Sequence, residues 1–183
     1  MLTSPLITID QTLVGPGYPV YFIAEVGSNH NQDYDLACRS IEAVAKAGAN
    51  AVKFQTFRAD SHYSKKAPGF SYLSNQSTYE LIKSLELNRD WQSGLKQCAE
   101  NNGLSFLSSP CDLDAIDSLA ALNVCAYKVA SFDLTDHELI GYMASKNKPL
   151  ILSTGLANLS EIQFAIDAAH KMNNHEIALL QCT

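Results

Sequence analysis

Short apolar runs of strand length alternate with longer stretches of helical spacing along most of the chain. The runs are Val20–Glu25, Ala51–Thr56, Leu104–Ser108, Ala126–Val129, Leu150–Ser153 and Ile177–Gln181. Between them, over about 34–47, 77–86, 90–102, 113–122, 136–146 and 160–172, apolar residues recur with the period of a helix that buries one face. Boundary residues agree with this division. Asp33 and Asp112 stand where an N-cap is wanted, and Ser77-x-x-Glu80, Thr135-x-x-Glu138 and Ser160-x-x-Gln163 fit the capping box. Gly48 and Gly103 fall where a left-handed residue closes a helix.

Strand and helix alternate with no hairpin between core strands, so the pattern predicts an α/β fold of parallel strands joined by right-handed crossovers. Ile7–Ile9 and Leu13–Val14 flank a turn, so residues 1–19 read as a hairpin or cap and 20–183 as the main domain. Six strands, with the chain stopping at Thr183 after the sixth, fit an open sheet or most of a (β/α)8 barrel. The barrel is the expectation, with about the first six βα units present, because a sheet ending without its covering helix leaves an apolar face bare. Ala51 and Leu104 are about twice as far apart as other successive strand starts. The excess, Arg58–Gln76 with Tyr63, Phe70 and Tyr72, reads equally as a lid or as a packed surface loop.

Polar residues collect where these strands end. Period two along Val20–Glu25 puts Tyr21, Ile23 and Glu25 on one face, so a carboxylate closes an apolar row just before Gly27 and the loop Asn29-His30-Asn31. Lys53 and Gln55 share one face at the end of the second strand. Ser108-Ser109-Pro110 follows the third, Lys128 and Ser131 the fourth, and Ser153-Thr154-Gly155 the fifth. In a barrel these ends converge on one mouth. A lysine inside an apolar strand needs a partner for its charge, and Glu25 can balance only one of the two. The surplus positive charge, ringed by Ser109, Ser131 and Ser153, suits a small anion such as a phosphate or carboxylate, although each serine alone also reads as a turn or cap hydroxyl.

Charge and cysteine usage narrow the partners. A net charge of -6 with no basic block longer than Lys65-Lys66 argues against nucleic acid and against a membrane surface. No apolar run is long enough to span a bilayer and no leader pattern opens the chain, so a cytoplasmic protein acting on small molecules is expected. Five cysteines, widely spaced and without C-x-x-C, read as free thiols packed as small hydrophobes, Cys111 and Cys182 included. No two histidines have ligand spacing, so no metal site is expected within this stretch, and His30 reads as a loop capper or a neighbour of Glu25. Neither G-x-G-x-x-G nor the Walker pattern occurs.

Six ordered motifs carry a resemblance. Ile23-Ala24-Glu25-Val26-Gly27-Ser28-Asn29-His30-Asn31, Val52-Lys53-Phe54-Gln55-Thr56, Ser108-Ser109-Pro110, Lys128-Val129-Ala130-Ser131, Asp133-Leu134-Thr135 and Pro149-Leu150-Ile151-Leu152-Ser153-Thr154-Gly155 resemble the N-acetylneuraminate (sialic acid) synthase family, pseudaminic and legionaminic acid synthases among them. The resemblance implies a (β/α)8 barrel followed by an antifreeze-like domain, in a homodimer. It implies condensation of phosphoenolpyruvate with an N-acetylated amino sugar such as N-acetylmannosamine, assisted by manganese or magnesium. Lys53, Lys128, Ser131 and Ser153 would hold phosphoenolpyruvate, Gln55 would face the sugar, Ser109 would help hold substrate, and Glu25 would work beside the reacting carbonyl or water. The metal's histidine ligands would lie on strands seven and eight, outside this chain, so the 183 residues alone are expected not to turn over. Two positions depart from the family pattern. Cys111 stands in Pro110-Cys111-Asp112 where phenylalanine is usual, and Gln181 stands where histidine is frequent. From the residues alone two rivals stay open, a Schiff-base aldolase using Lys128 and a non-catalytic truncated fragment.

Overall fold

The computed structural model describes residues 6–69 and 77–182. β1 (Ile7–Ile9) and β2 (Thr12–Val14) form an antiparallel hairpin. After it come β3 (Ile23–Gly27), α1 (Tyr34–Lys46), β4 (Ala51–Thr56), α2 (Ala59–His62), α3 (Thr78–Ser84), α4 (Gln92–Asn101), β5 (Ser105–Pro110) and α5 (Leu113–Ala121). The chain continues through β6 (Tyr127–Val129), α6 (His137–Ala144), β7 (Leu150–Ser153), α7 (Leu159–Lys171) and β8 (Ile177–Leu180), with 3-10 turns at Arg89–Trp91 and Ser131–Asp133. Every ladder from β3 onward is parallel. The strands make two sheets, β3-β4-β5 and β6-β7-β8. β5 and β6 lie side by side, yet among the described residues no backbone hydrogen bond joins them, so the arc of strands carries a seam at its middle.

Strand parity sorts the side chains into two layers. Val52, Phe54, Phe106, Tyr127, Val129, Leu150 and Leu152 face outward and are buried with Ile41, Leu95, Ile116, Leu119 and Ile140 of the surrounding helices. Burying each such side chain stabilises by about 1.5–3 kcal/mol. On the other face Ala51, Leu107, Ala126 and Ile151 meet Ile7 and Ile9 of the hairpin, which seals the inner face near the amino ends of the strands. That seal leaves the carboxyl ends to carry polar groups.

Several boundaries differ from the sequence expectation. Val20 and Phe22 are 71% and 60% exposed, and β3 begins only at Ile23, where its parallel register with β4 starts at Ala51. Asn50 ties the approach down: Phe22 N donates to Asn50 Oδ1 at 2.8 Å, and Asn50 N donates to Phe22 O. At its other end β3 runs past Glu25 to Gly27 through a bulge. Asp33 and Asp112 cap α1 and α5 as expected, accepting from Leu36 N and Ala115 N. Ser77 precedes α3 but makes no side-chain cap bond. The caps of α6 and α7 are Asp136 and the box Asn158/Glu161 rather than Thr135 and Ser160, since Asp and Asn cap at least as well as the hydroxyl residues beside them. Gly48 and Gly103 adopt φ of +81° and +73° just after α1 and α4. Within Arg58–Gln76, α2 and a turn at Ser64–Ala67 are formed, while Phe70 and Tyr72 lie outside the described residues. Among the described residues no helix is long and apolar enough to cross a membrane.

Candidate active site

One step up each strand from the sealed layer, the inward residue changes character. Ala51 is followed on its face by Lys53 and Gln55, Leu107 by Ser109, Ala126 by Lys128, and Ile151 by Ser153. Register places these side by side, with Glu25 opposite Lys53, Gln55 opposite Ser109, and Lys128 opposite Ile151. The two lysines therefore share one face across the seam.

Lys53 is 7% exposed and ion-paired with Glu25, whose Oε1 also accepts from Gln55 Nε2 at 3.2 Å. Burial, and next the Lys128 ammonium, lower the Lys53 pKa from 10.5 to about 7, while the carboxylate in contact with it favours the charged form. Burial likewise lowers Lys128. Lys53 thus has one partly exposed carboxylate as its partner while the Lys128 ammonium repels it, an arrangement that a second anion would relieve.

Ser131 and Ser153 gather on the Lys128 side. Cys182 Sγ lies 3.3 Å from Ser153 Oγ, and the serine hydroxyl, able to donate to the thiolate, with help from Lys128 and Ser131, lowers the thiol's pKa. A Cβ on Gly155 would lie 2.9 Å from Ser131 Oγ and 3.2 Å from Cys182 Cβ, so only glycine lets these groups close up. Gly27 has the same role beside Glu25. Its φ is +57°, and a Cβ there would stand 2.9 Å from Glu25 Oε1.

Ser109 is 3% exposed, and its Oγ has no hydrogen-bond partner among the described residues. It lines a cavity of about 260 Å³ with Ser28, Gln55, Lys128, His62 and Asp133. A cavity of about 360 Å³ among α5, α6 and α7 holds none of the strand-end groups. His30 is fully buried, with Nδ1 accepting from Gln32 N at 3.2 Å and its ring edge-on to Trp91, so it braces the first loop. Among the described residues it makes no hydrogen bond to Glu25.

Sequence reasoning passed over one constellation. His62 ends α2, Cys111 follows β5 and Asp133 ends the turn after β6, and one ligand atom from each comes within 4.8 Å of the other two. The expectation of no self-sufficient metal site rested on histidine spacing, which cannot register three potential ligands contributed by three distant segments. Asp133 lay inside a quoted motif, and its place five residues after Lys128 was the available signal. Burial raises its pKa. The trio does not fit the manganese or magnesium implied by the resemblance, because a thiol is a poor ligand for a hard ion. No step below passes through that metal.

The NeuB family model matches residues 40–183. The chain is 40% identical over 176 residues to an uncharacterized protein of Methanocaldococcus jannaschii, covering 96% of this chain and 50% of that one. It is 36% identical over 178 residues to the N,N'-diacetyllegionaminic acid synthase of Legionella pneumophila, covering 92% of this chain and 50% of that one. Among solved structures, an N-acetylneuraminic acid (sialic acid) synthetase from Leptospira borgpetersenii, in complex with citrate, superposes with a TM-score of 0.84 at 30% identity over 96% of this chain and 58% of that one. The chain spans about half the length of the curated relatives it matches. With a family match over most of its length and relatives named as sialic-acid-type synthases, the chain belongs to the NeuB family.

Proposed function

We propose that the whole protein condenses phosphoenolpyruvate with an N-acetylated amino sugar, N-acetylmannosamine or a related hexosamine, to give a nine-carbon sugar acid. The observation that carries this reading is the buried Lys53 and the half-buried Lys128 on one strand face, with one carboxylate in contact among the described residues and with Ser109 on the same cavity wall as Lys128. Lys53 and Lys128 grip the phosphate and carboxylate of phosphoenolpyruvate, whose charge draws both amines back to the ammonium form, and Ser131 and Ser153 donate hydroxyls. Gln55 faces the sugar, and Ser109 helps hold substrate at the end of its strand. As carbon 3 of phosphoenolpyruvate bonds to the sugar's aldehyde carbon, the aldehyde oxygen takes up a proton and becomes a hydroxyl. Water adds at the cationic carbon 2 with Glu25 as the base for its proton, and the new carbon 2 hydroxyl loses its proton as the C–O bond to phosphate breaks, leaving the ketone. The bridging oxygen leaves with the phosphate.

By the family resemblance the enzyme is a cytoplasmic homodimer that uses manganese or magnesium through ligands beyond this chain, and these 183 residues alone do not turn over. The test is full-length protein with bridging-¹⁸O phosphoenolpyruvate and a panel of N-acetylated hexosamines. The expected result is label in the released phosphate and a nine-carbon acid by mass; label kept in the organic product, or no condensation with any sugar, would overturn it. The lowered lysines also favour a second reading, because a Schiff-base aldolase needs a neutral amine. Borohydride trapping of pyruvate on Lys128 or Lys53, without phosphate release, would select that reading instead.

A further inference from the structure

We propose that His62, Cys111 and Asp133 form a binding site for a thiophilic divalent cation of the zinc class at the rim of the strand-end cavity. The three come from separate elements that the fold brings together: the last residue of α2, the residue after β5 and the end of the turn after β6. Their ligand atoms lie within 4.8 Å of one another, and His62 Nε2 stands 3.8 Å from Asp133 Oδ1. Zinc bonds of about 2.0–2.3 Å hold tetrahedral ligand atoms roughly 3.3–3.8 Å apart, so small side-chain rotations close the set on an ion.

A second observation points to a ligand. Asp133 is 6% exposed, and its Oδ2 has no hydrogen-bond partner among the described residues. A carboxylate oxygen buried without a partner is costly, and a cation beside it removes that cost. Three protein ligands leave a fourth position, and the cavity of about 260 Å³ that all three residues line has room there for water. Thiolate and carboxylate together cancel the charge of a divalent ion, which lets the site sit near the Lys128 ammonium on the same cavity wall. The thiol also sets the selectivity, toward zinc and away from magnesium and manganese. The site is thereby separate in chemistry from the hard metal that the family resemblance implies.

The experiment uses full-length protein with Zn²⁺ or Co²⁺ alone as the probe. A cobalt ion held by a cysteine shows a thiolate-to-metal charge-transfer band that a site made of histidine and oxygen ligands lacks. The expected result is that band, displaced by Zn²⁺ and unaffected by excess Mg²⁺, with Cys111→Ser abolishing it and lowering bound zinc by one equivalent. His62→Ala, on the partly exposed helix end, is expected to weaken zinc binding at least tenfold in a folded protein, and Cys98→Ala, between α1 and α4, to leave it unchanged. No charge-transfer band in the parent protein, or the same band and zinc content in Cys111→Ser, would overturn the proposal. So would unchanged affinity in His62→Ala. The readout is optical and stoichiometric, so it stands or falls apart from the synthase reading.

Discussion

The two ends of the inner strand face are built from the same strands and follow opposite rules. Toward the amino ends, Ala51, Leu107, Ala126 and Ile151 pack dry against Ile7 and Ile9. Toward the carboxyl ends, the next inward positions are Lys53, Ser109, Lys128 and Ser153, with a hydroxyl that has no partner among the described residues and two amines pushed toward neutrality. One end contributes stability, and the other holds polar groups in an environment that disfavours them. A parallel-strand α/β fold that keeps packing at one end of its strands and polar chemistry at the other divides its work in this way.

Substitutions at the two ends should therefore separate stability from binding. Leu107→Ala, in the fully buried lower layer, is expected to cost about 2–5 kcal/mol of folding free energy by urea titration, with phosphoenolpyruvate affinity of the folded fraction unchanged. One strand position below the mouth, an equally large loss of affinity would erase the distinction. Lys128→Met should do the reverse. It removes a charged hydrogen-bond donor of about 1.5–3 kcal/mol, roughly ten- to a hundredfold in phosphoenolpyruvate affinity by calorimetry, while the melting temperature holds or rises.

Gly27→Ala tests the geometry between the two. Left-handed backbone should cost about 1–2 kcal/mol, and the added methyl presses on Glu25 Oε1, so this variant alone is expected to lose both stability and activity. The smallest effect is a slope with pH. Lys53 titrates near 7 in the folded chain and near 10.5 when unfolded, so the unfolded chain holds more protons across that window and stability rises with pH there. Binding of an anion needs the ammonium form, so affinity should fall as pH climbs through about 7. Lys53→Met should flatten both trends, and a pH titration of melting temperature beside one of affinity checks them.

Much of this was legible in the sequence. Period-two alternation was enough to put Glu25, Lys53, Gln55, Ser109, Lys128 and Ser153 on one face, since parity is a local property of strands. The β3 boundary was not legible, because Val20 and Phe22 alternate like strand residues yet stay exposed ahead of the register that begins at Ile23 and Ala51. Nor was the His62, Cys111 and Asp133 trio, whose approach depends on how three loops come together over the cavity. Asp136 and Asn158 displaced the anticipated caps because neighbouring residues of similar capping strength compete for one helix start.

The missing ladder between β5 and β6 divides the candidate anion grip down its centre. Lys53, Gln55 and Ser109 stand on one hydrogen-bonded unit, and Lys128 and Ser153 on the other. Any guest held from both banks becomes a cross-brace where the backbone supplies none, so occupancy would be felt as stiffness along the whole joint.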